Sequence, residues 1–241
     1  MHFHLPKPLH GWREFAGEVG IIVIGVLIAL GAEQIVERVH WRDQLKDTEE
    51  RIASEMGTNL GNAYERLIIN DCLKGRLVEL RDQLAVDSPQ WKGTSVKFAS
   101  GVYDDVFAPV YRGPSRTWGQ DAWRTAISTG IYNHGLGSRT QRLARLYTIV
   151  AAMDAIQVNE GNDAAMLGDL AFDGPISAES RRSDLKLLSR LNNENAKTVY
   201  FSRELLAEAA AVGLRLNPRE QRYRRRYQTA FRGKCVTTHG N

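Results

Sequence analysis

Between Glu18 and Glu33 the chain reads VGIIVIGVLIALGA, fourteen residues without a charged or strongly polar side chain. As a helix that run is about 21 Å long, short of the roughly 30 Å of a bilayer's hydrocarbon core. Extended over residues 15–36 it becomes 22 residues and gains only Glu18, Glu33 and Gln34 as polar members. At about 33 Å it then spans. Both glutamates fall near its ends, where a carboxylate reaches water or headgroups at modest cost. Trp12 and Trp41 bracket it, as amphipathic aromatics do at interfaces. A single transmembrane helix over 15–36 is the expectation. A cleaved signal peptide competes, because Ala29-Leu30-Gly31 offers a small-x-small cleavage site. Against it, the preceding residues include Glu14 and do not form a compact basic region. A buried soluble helix fits less well, since the segment is apolar on every face.

The remaining sequence is water-compatible. Mean hydropathy is −0.36, and 32 Lys and Arg against 28 Asp and Glu leave a formal charge of +4. So mild an excess points to no nucleic-acid partner. Two cysteines, Cys72 and Cys235, exclude a disulfide-rich scaffold and a zinc-ribbon array.

Past the span, Trp41, Leu45, Ile52, Met56, Leu60, Leu67, Leu77, Leu80 and Leu84 recur at helical spacing. They predict that the first helix continues to about Val86, loosened at Gly57 and Gly61, and stops at Asp87-Ser88-Pro89. Residues 88–114 read as irregular, with one short helix near Tyr103–Phe107. Helices are expected from Ser115 to Thr129, ending at Gly130, and from an N-cap at Ser138 to about Ala171. Another runs from a partial cap at Ser177 to Leu216, and a last one from Asn217-Pro218 to Phe231. No segment alternates with period two. The predicted class is all-α: a tail 1–14, a membrane helix 15–36, and a helical extramembrane domain 37–241 built as an elongated antiparallel bundle.

Glu18-Val19 and the IIVIGVLIAL that follows resemble the opening of a family of bacterial single-pass membrane proteins of unknown function. Trp123-Arg-Thr-Ala126-Ile-Ser-Thr129-Gly130, with Leu143-Ala-Arg-Leu146-Tyr147 after it, is similar to a second stretch of that family. The exit from the span departs: Gln34-Ile35-Val36-Glu37 stands where the family has an Asn-rich segment containing Trp. The resemblance covers about a quarter of the chain. It implies a bacterial inner-membrane anchor carrying a helical domain, and no activity.

Gly25 and Ala29 form a small-xxx-small pair and Ala32 extends the same face, so the span is expected to self-associate there. Arg38, Arg42, Lys46 and Arg51 follow the span closely, which by the count of basic residues puts the domain in the cytoplasm. Long domains translocate largely regardless of charge, and N-in insertion with export is the usual signal-anchor arrangement. The periplasm is the expectation adopted. There Cys72 and Cys235 can close one long disulfide, contributing about 4–5 kcal/mol by chain entropy.

Candidate chemistry is sparse. Arg222, Arg225 and Arg226 in RYRRRYQTAFR form a possible anionic-ligand patch, beside an aromatic stripe of Tyr223, Tyr227 and Phe231. His2, His4 and His10 lie on a Pro-containing tail that supplies no rigid metal site. His134 sits in NHGLG, where Asp121, Asp104 or Asp105 can orient a loop base, but no nucleophile motif accompanies it. Glu49-Glu50 and Asp104-Asp105 diverge by about 100° if helical and form no acid/base dyad by spacing. No catalytic, cofactor or metal residue is assigned. The leading expectation is a non-enzymatic, membrane-anchored module that binds a protein partner or supports an envelope assembly. A periplasmic ligand-sensing domain working through a partner chain is the second, and a hydrolase using His134 the third.

Overall fold

A computed structural model describes residues 11–95, 109–134 and 137–230. The expected helix at Tyr103–Phe107 lies outside them. The chain is all-α, as its patterning predicts. Five α-helices are described: α1 (Gly11–Ala85), α2 (Asp121–Ser128), α3 (Gly137–Ala165), α4 (Ala178–Ala211) and α5 (Pro218–Ala230). The only strand pairing among the described residues joins Gln90–Trp91 to Gly174–Pro175, antiparallel.

Residues 1–49 and 50–241 form two compact units. In the first, α1 is apolar and bare. Ile21 is 75% exposed and Leu27 62%, and α1 is long and apolar enough to cross a membrane. Gly25, Ala29 and Ala32 lie exposed on this part of α1. Trp41 is half-buried and donates its indole N–H to Glu37 Oε1 at 3.2 Å, one turn back.

The second unit is a bundle of the rest of α1 with α3 and α4. Contacts fix the directions. Glu55 meets Tyr147 and Arg66 meets Glu160, so α1 and α3 run the same way. Arg145 meets Glu204 while Asp163 meets Arg190, so α4 runs back against α3. Ile69, Leu73, Leu77, Leu80 and Leu84 of α1 pack with Leu187, Leu188 and Leu191 of α4, closed over by Trp91, Val110, Tyr111, Leu167 and Leu170. These are the i, i+3, i+4 positions of amphipathic helices, and their burial is the main stabilising term.

Helix ends follow local chemistry. Ser177 Oγ accepts from Ser180 N–H at 3.0 Å, capping α4 as its Ser-x-x-Ser signal suggested. Asn217 Oδ1 accepts from Glu220 N–H at 2.9 Å ahead of Pro218 at the first position of α5. α4 stops at Ala211 and not at Leu216, because Gly213 takes φ +79°. Carbonyls at and just past the end of α1 are bonded by Arg181 of α4: its guanidinium donates to Leu84 O at 2.9 Å, to Val86 O at 2.6 Å, and to Ser88 O. α3 ends at Ala165 and passes into a 3-10 turn, Gly168–Ala171, earlier than its apolar pattern implies.

Gly57 and Gly61 do not loosen α1, which is continuous through them. A Cβ at Gly57 would come within 3.1 Å of Asn217 N and 3.2 Å of Arg215 O. The glycine admits the backbone that leads into α5.

Candidate functional site

The largest departure from the predicted elements is residues 115–120. Apolar spacing assigns them to a helix, yet α2 begins only at Asp121 and the residues before it run as an irregular strap across α1 and α3. The cause lies in three side-chain amides on those helices. Asn59 donates to Gly119 O at 2.8 Å and accepts from Gly119 N–H at 2.9 Å. Gln157 donates to Arg116 O and accepts from Arg116 N–H, both at 2.8 Å. Asn62 donates to Thr117 O at 3.0 Å. Each amide presents the same donor and acceptor pair as a neighbouring β-strand would, so the backbone groups of Arg116 and Gly119 and the Thr117 carbonyl are paired without helix or sheet. Arg116 adds a bidentate pair to Glu65 at 2.6 and 2.7 Å, with Glu65 nearly enclosed.

Beyond the strap, α2 has no capping side chain of its own. Glu55 of α1 takes that role: its Oε2 accepts from Ala122 N–H at 3.0 Å, a carboxylate at the positive end of the helix. Glu55 Oε1 accepts from Tyr147 OH at 2.7 Å. The indole of Trp123 stacks on Tyr147 at 5.2 Å and 8° between planes, with Tyr132 at 5.6 Å on the indole. Burial, then the bond to Glu55, drives the Tyr147 hydroxyl pKa far above its ordinary value. The two pieces of the second motif quoted above thus meet, Trp123 from one and Tyr147 from the other.

Deeper in the bundle lies a buried polar seam. Arg66 Nη2 donates to Glu160 Oε1 at 2.9 Å and to Asn195 Oδ1 at 3.3 Å; Asn195 in turn donates to Asn70 Oδ1 at 2.9 Å. Tyr111 OH donates to the same Glu160 oxygen at 2.9 Å. Burial foremost, then the Glu160 charge, holds the tyrosine pKa well above the usual range. Gly113 passes directly over this pair, where a Cβ would collide with the Arg66 guanidinium. One turn along each helix, Asp163 bonds Arg190 at 2.7 Å, and Glu194 lies 9% exposed with Oε2 unpaired. Burial, followed by repulsion from Asp163, raises the Glu194 carboxyl pKa, with Arg190 opposing.

Recesses open on the bundle. A groove of 640 Å³ lies between Pro109–Ser115 and the small-residue face of Gly161, Ala164, Ala165 and Gly168, with Phe172 at its rim and Tyr111 and Glu160 in its wall. A second, of 280 Å³, lies between α1, α4 and α5, lined by Leu60, Tyr64, Leu206 and Leu214 and by Arg215, Arg224 and Arg225. Among the described residues no group of three His, Cys, Asp or Glu is placed to hold a metal ion.

The residues singled out from sequence are distributed differently. Arg222 and Arg225 are exposed on α5. The side chain of Arg226 lies outside the described residues, as do those of Tyr223 and Tyr227. Arg224, which the spacing did not single out, is the arginine that turns inward, 5.1 Å from the Tyr64 ring centroid. Asp121 opens α2, exposed, while the His134 side chain and residues Asp104 and Asp105 lie outside the described residues. Cys72 lies on α1, part-exposed, and is disulfide-bonded; Cys235 lies outside the described residues. Asn59, Asn62, Glu65, Arg66 and Asn70 carry no apolar signal and so lie outside the pattern that marks the helix face. They recur at three- and four-residue intervals, which is the available signal.

Compared with protein-family models, curated proteins and solved structures, the chain matches none.

Proposed function

We propose that this is a single-pass bacterial inner-membrane protein whose helical domain lies in the periplasm and serves as a partner-binding or envelope-supporting module. The observation that carries the reading is the contrast along α1. Its first part is an uncovered apolar helix of spanning length, and its second part is tied by buried side chains into a bundle. Lipid is the medium that relieves apolar exposure of that extent along a helix. The disulfide at Cys72 supports an oxidising compartment. The polar groups between the helices support a scaffold: Asn59, Asn62, Gln157 and Glu55 hold backbone, and Arg66 holds Glu160 and Asn195. The resemblance of the anchor to the bacterial single-pass family belongs to the same proposal, as does self-association through Gly25, Ala29 and Ala32.

A phosphatase reporter that is active only outside the cytoplasm, fused after Asn241, tests the topology. Activity together with membrane retention through carbonate washing is expected; an inactive, stably expressed fusion overturns the periplasmic assignment. Crosslinking in cells tests the association face, and Gly25→Leu is expected to reduce the dimer at least severalfold. Unchanged dimer discards that face. Partner binding is read by crosslinked co-purification with a single envelope protein, lost when residues 50–241 are deleted.

Ligand sensing through a partner chain is the second reading. It is favoured by the groove beside Tyr111 and Glu160 and by the recess between α1, α4 and α5.

A further inference from the structure

We propose that the 280 Å³ recess between α1, α4 and α5 binds a small anionic amphiphile: one phosphate or carboxylate head on a short apolar tail. The inference stands on residues 50–241 alone and does not depend on which side of a membrane they face.

Three observations carry it. The lining combines two chemistries, the apolar Leu60, Leu206, Leu214 and Leu216 and the basic Arg215, Arg224 and Arg225. No Asp or Glu is among the described residues lining it; Glu65 and Glu220 line an adjoining recess that shares Arg224 and Tyr64. An apolar pocket with a few convergent donors is the usual build of a small-molecule site, and guanidinium groups match the oxygens of phosphate and carboxylate.

The second observation is that Arg224 is held in place. Its guanidinium lies 5.1 Å from the Tyr64 ring centroid, a cation–π contact that restrains the side chain while using none of its N–H groups. Less rotamer freedom then remains to be lost when an anion arrives. The third is that Arg224 Nε is buried without a hydrogen-bond partner. A desolvated donor on a charged group is costly to leave unmade, and a small turn of the guanidinium toward an anion in the recess would give it an acceptor.

Size limits the ligand. At about 30 Å³ for each water displaced, 280 Å³ holds roughly nine waters, or about ten non-hydrogen atoms. A phosphate with a chain of about six carbons fills that space; a whole phospholipid does not, though its headgroup and glycerol do. The shared chemistry is therefore an anionic head next to a few methylenes, supplied by a soluble metabolite-sized anion or by a lipid.

The test is calorimetric titration of the full chain, held in nanodiscs of zwitterionic lipid, with hexyl phosphate. Saturable binding is expected, at least about tenfold tighter than that of inorganic phosphate or of hexanol, because each lacks one half of the ligand. Arg224→Gln is expected to weaken it about tenfold or more, and Leu206→Trp, which fills the apolar wall, similarly. Arg203→Gln removes the same charge from an exposed site on α4 outside the recess and is expected to leave binding unchanged. Circular dichroism checks that each variant folds; where Leu206→Trp does not, Arg215→Gln takes its place. The absence of saturable binding, or affinities for Arg224→Gln and the wall variant within twofold of the parent, overturns the proposal. Repeating the titration in nanodiscs containing phosphatidylglycerol separates the sources. Loss of hexyl phosphate binding by competition assigns the site to lipid, and its persistence assigns it to a soluble anion.

Discussion

Replacing Arg66 by Met leaves the Glu160 carboxylate buried among α1, α3 and α4 with Tyr111 still donating to it. Both side chains of the ion pair are almost fully enclosed, at 5% and 6% exposure. Removing one partner of such a pair costs about 3–5 kcal/mol, most of it the penalty of an uncompensated buried charge. Glu160→Leu is expected to cost a similar amount, because it strands the Arg66 guanidinium with only the longer contact to Asn195. The double variant Arg66→Met/Glu160→Leu removes both charges together. What then remains is an unpaired Tyr111 hydroxyl and one Asn195 oxygen, worth about 1–3 kcal/mol. The double variant is therefore expected to be more stable than either single one, with a coupling energy of at least about 3 kcal/mol. For a domain of this size each kcal/mol moves the midpoint by about 2–4 °C, so the single variants should melt roughly 6–20 °C lower. Thermal unfolding of the full chain in one detergent, followed by circular dichroism, measures the set, with the apolar first part of α1 common to all four proteins. A loss below about 1 kcal/mol for Arg66→Met, or a double variant as unstable as the sum of the singles, refutes the reasoning.

Glu194 carries a folded-state pKa above its ordinary value, so protonation favours the fold and stability falls as pH rises from that value through the raised one. Glu194→Gln is accordingly expected to stabilise the domain at neutral pH and to lose its advantage in acid, which paired melts at the two pH values will read. Tyr111 and Tyr147 are both displaced upward, so only the unfolded chain ionises them near pH 10. Stability should fall above that pH by up to about 2.7 kcal/mol per pH unit for the two together, and Tyr147→Phe should remove about half of the slope in urea titrations. Asn59→Leu strands the N–H and C=O of Gly119. It should cost about 2–4 kcal/mol and speed hydrogen exchange at Gly119, whereas exchange unaltered there would show that the strap is held by something else.

Much of the fold was legible because helices announce themselves twice, by apolar period and by punctuation. Ile52, Met56, Leu60, Leu77, Leu80 and Leu84 repeat on one face and are buried as that repeat requires. Ser177, Gly130 and Asn217-Pro218 marked ends through backbone chemistry that acts locally. The strap was not legible. Its conformation is set by Asn59, Asn62 and Gln157, which lie about forty to sixty residues away, and no local window contains them. The same holds for α2, whose start is fixed by Glu55 and not by the residue at its own N-cap. The recess was half legible. An arginine-rich α5 was evident, but which arginine turns inward depends on Tyr64, more than a hundred and fifty positions earlier.

Because the amides grip peptide groups and not side chains, the bonds at Thr117 O and Arg116 N–H are indifferent to what those two positions carry. Exposed Thr117 can drift freely through evolution while Asn62, on a helix, cannot. The ordinary expectation of variable loops and forgiving helix positions is inverted here, and, Arg116 with its pair to Glu65 apart, a mutational scan should find its most fragile polar letters on the rods instead of on the connector.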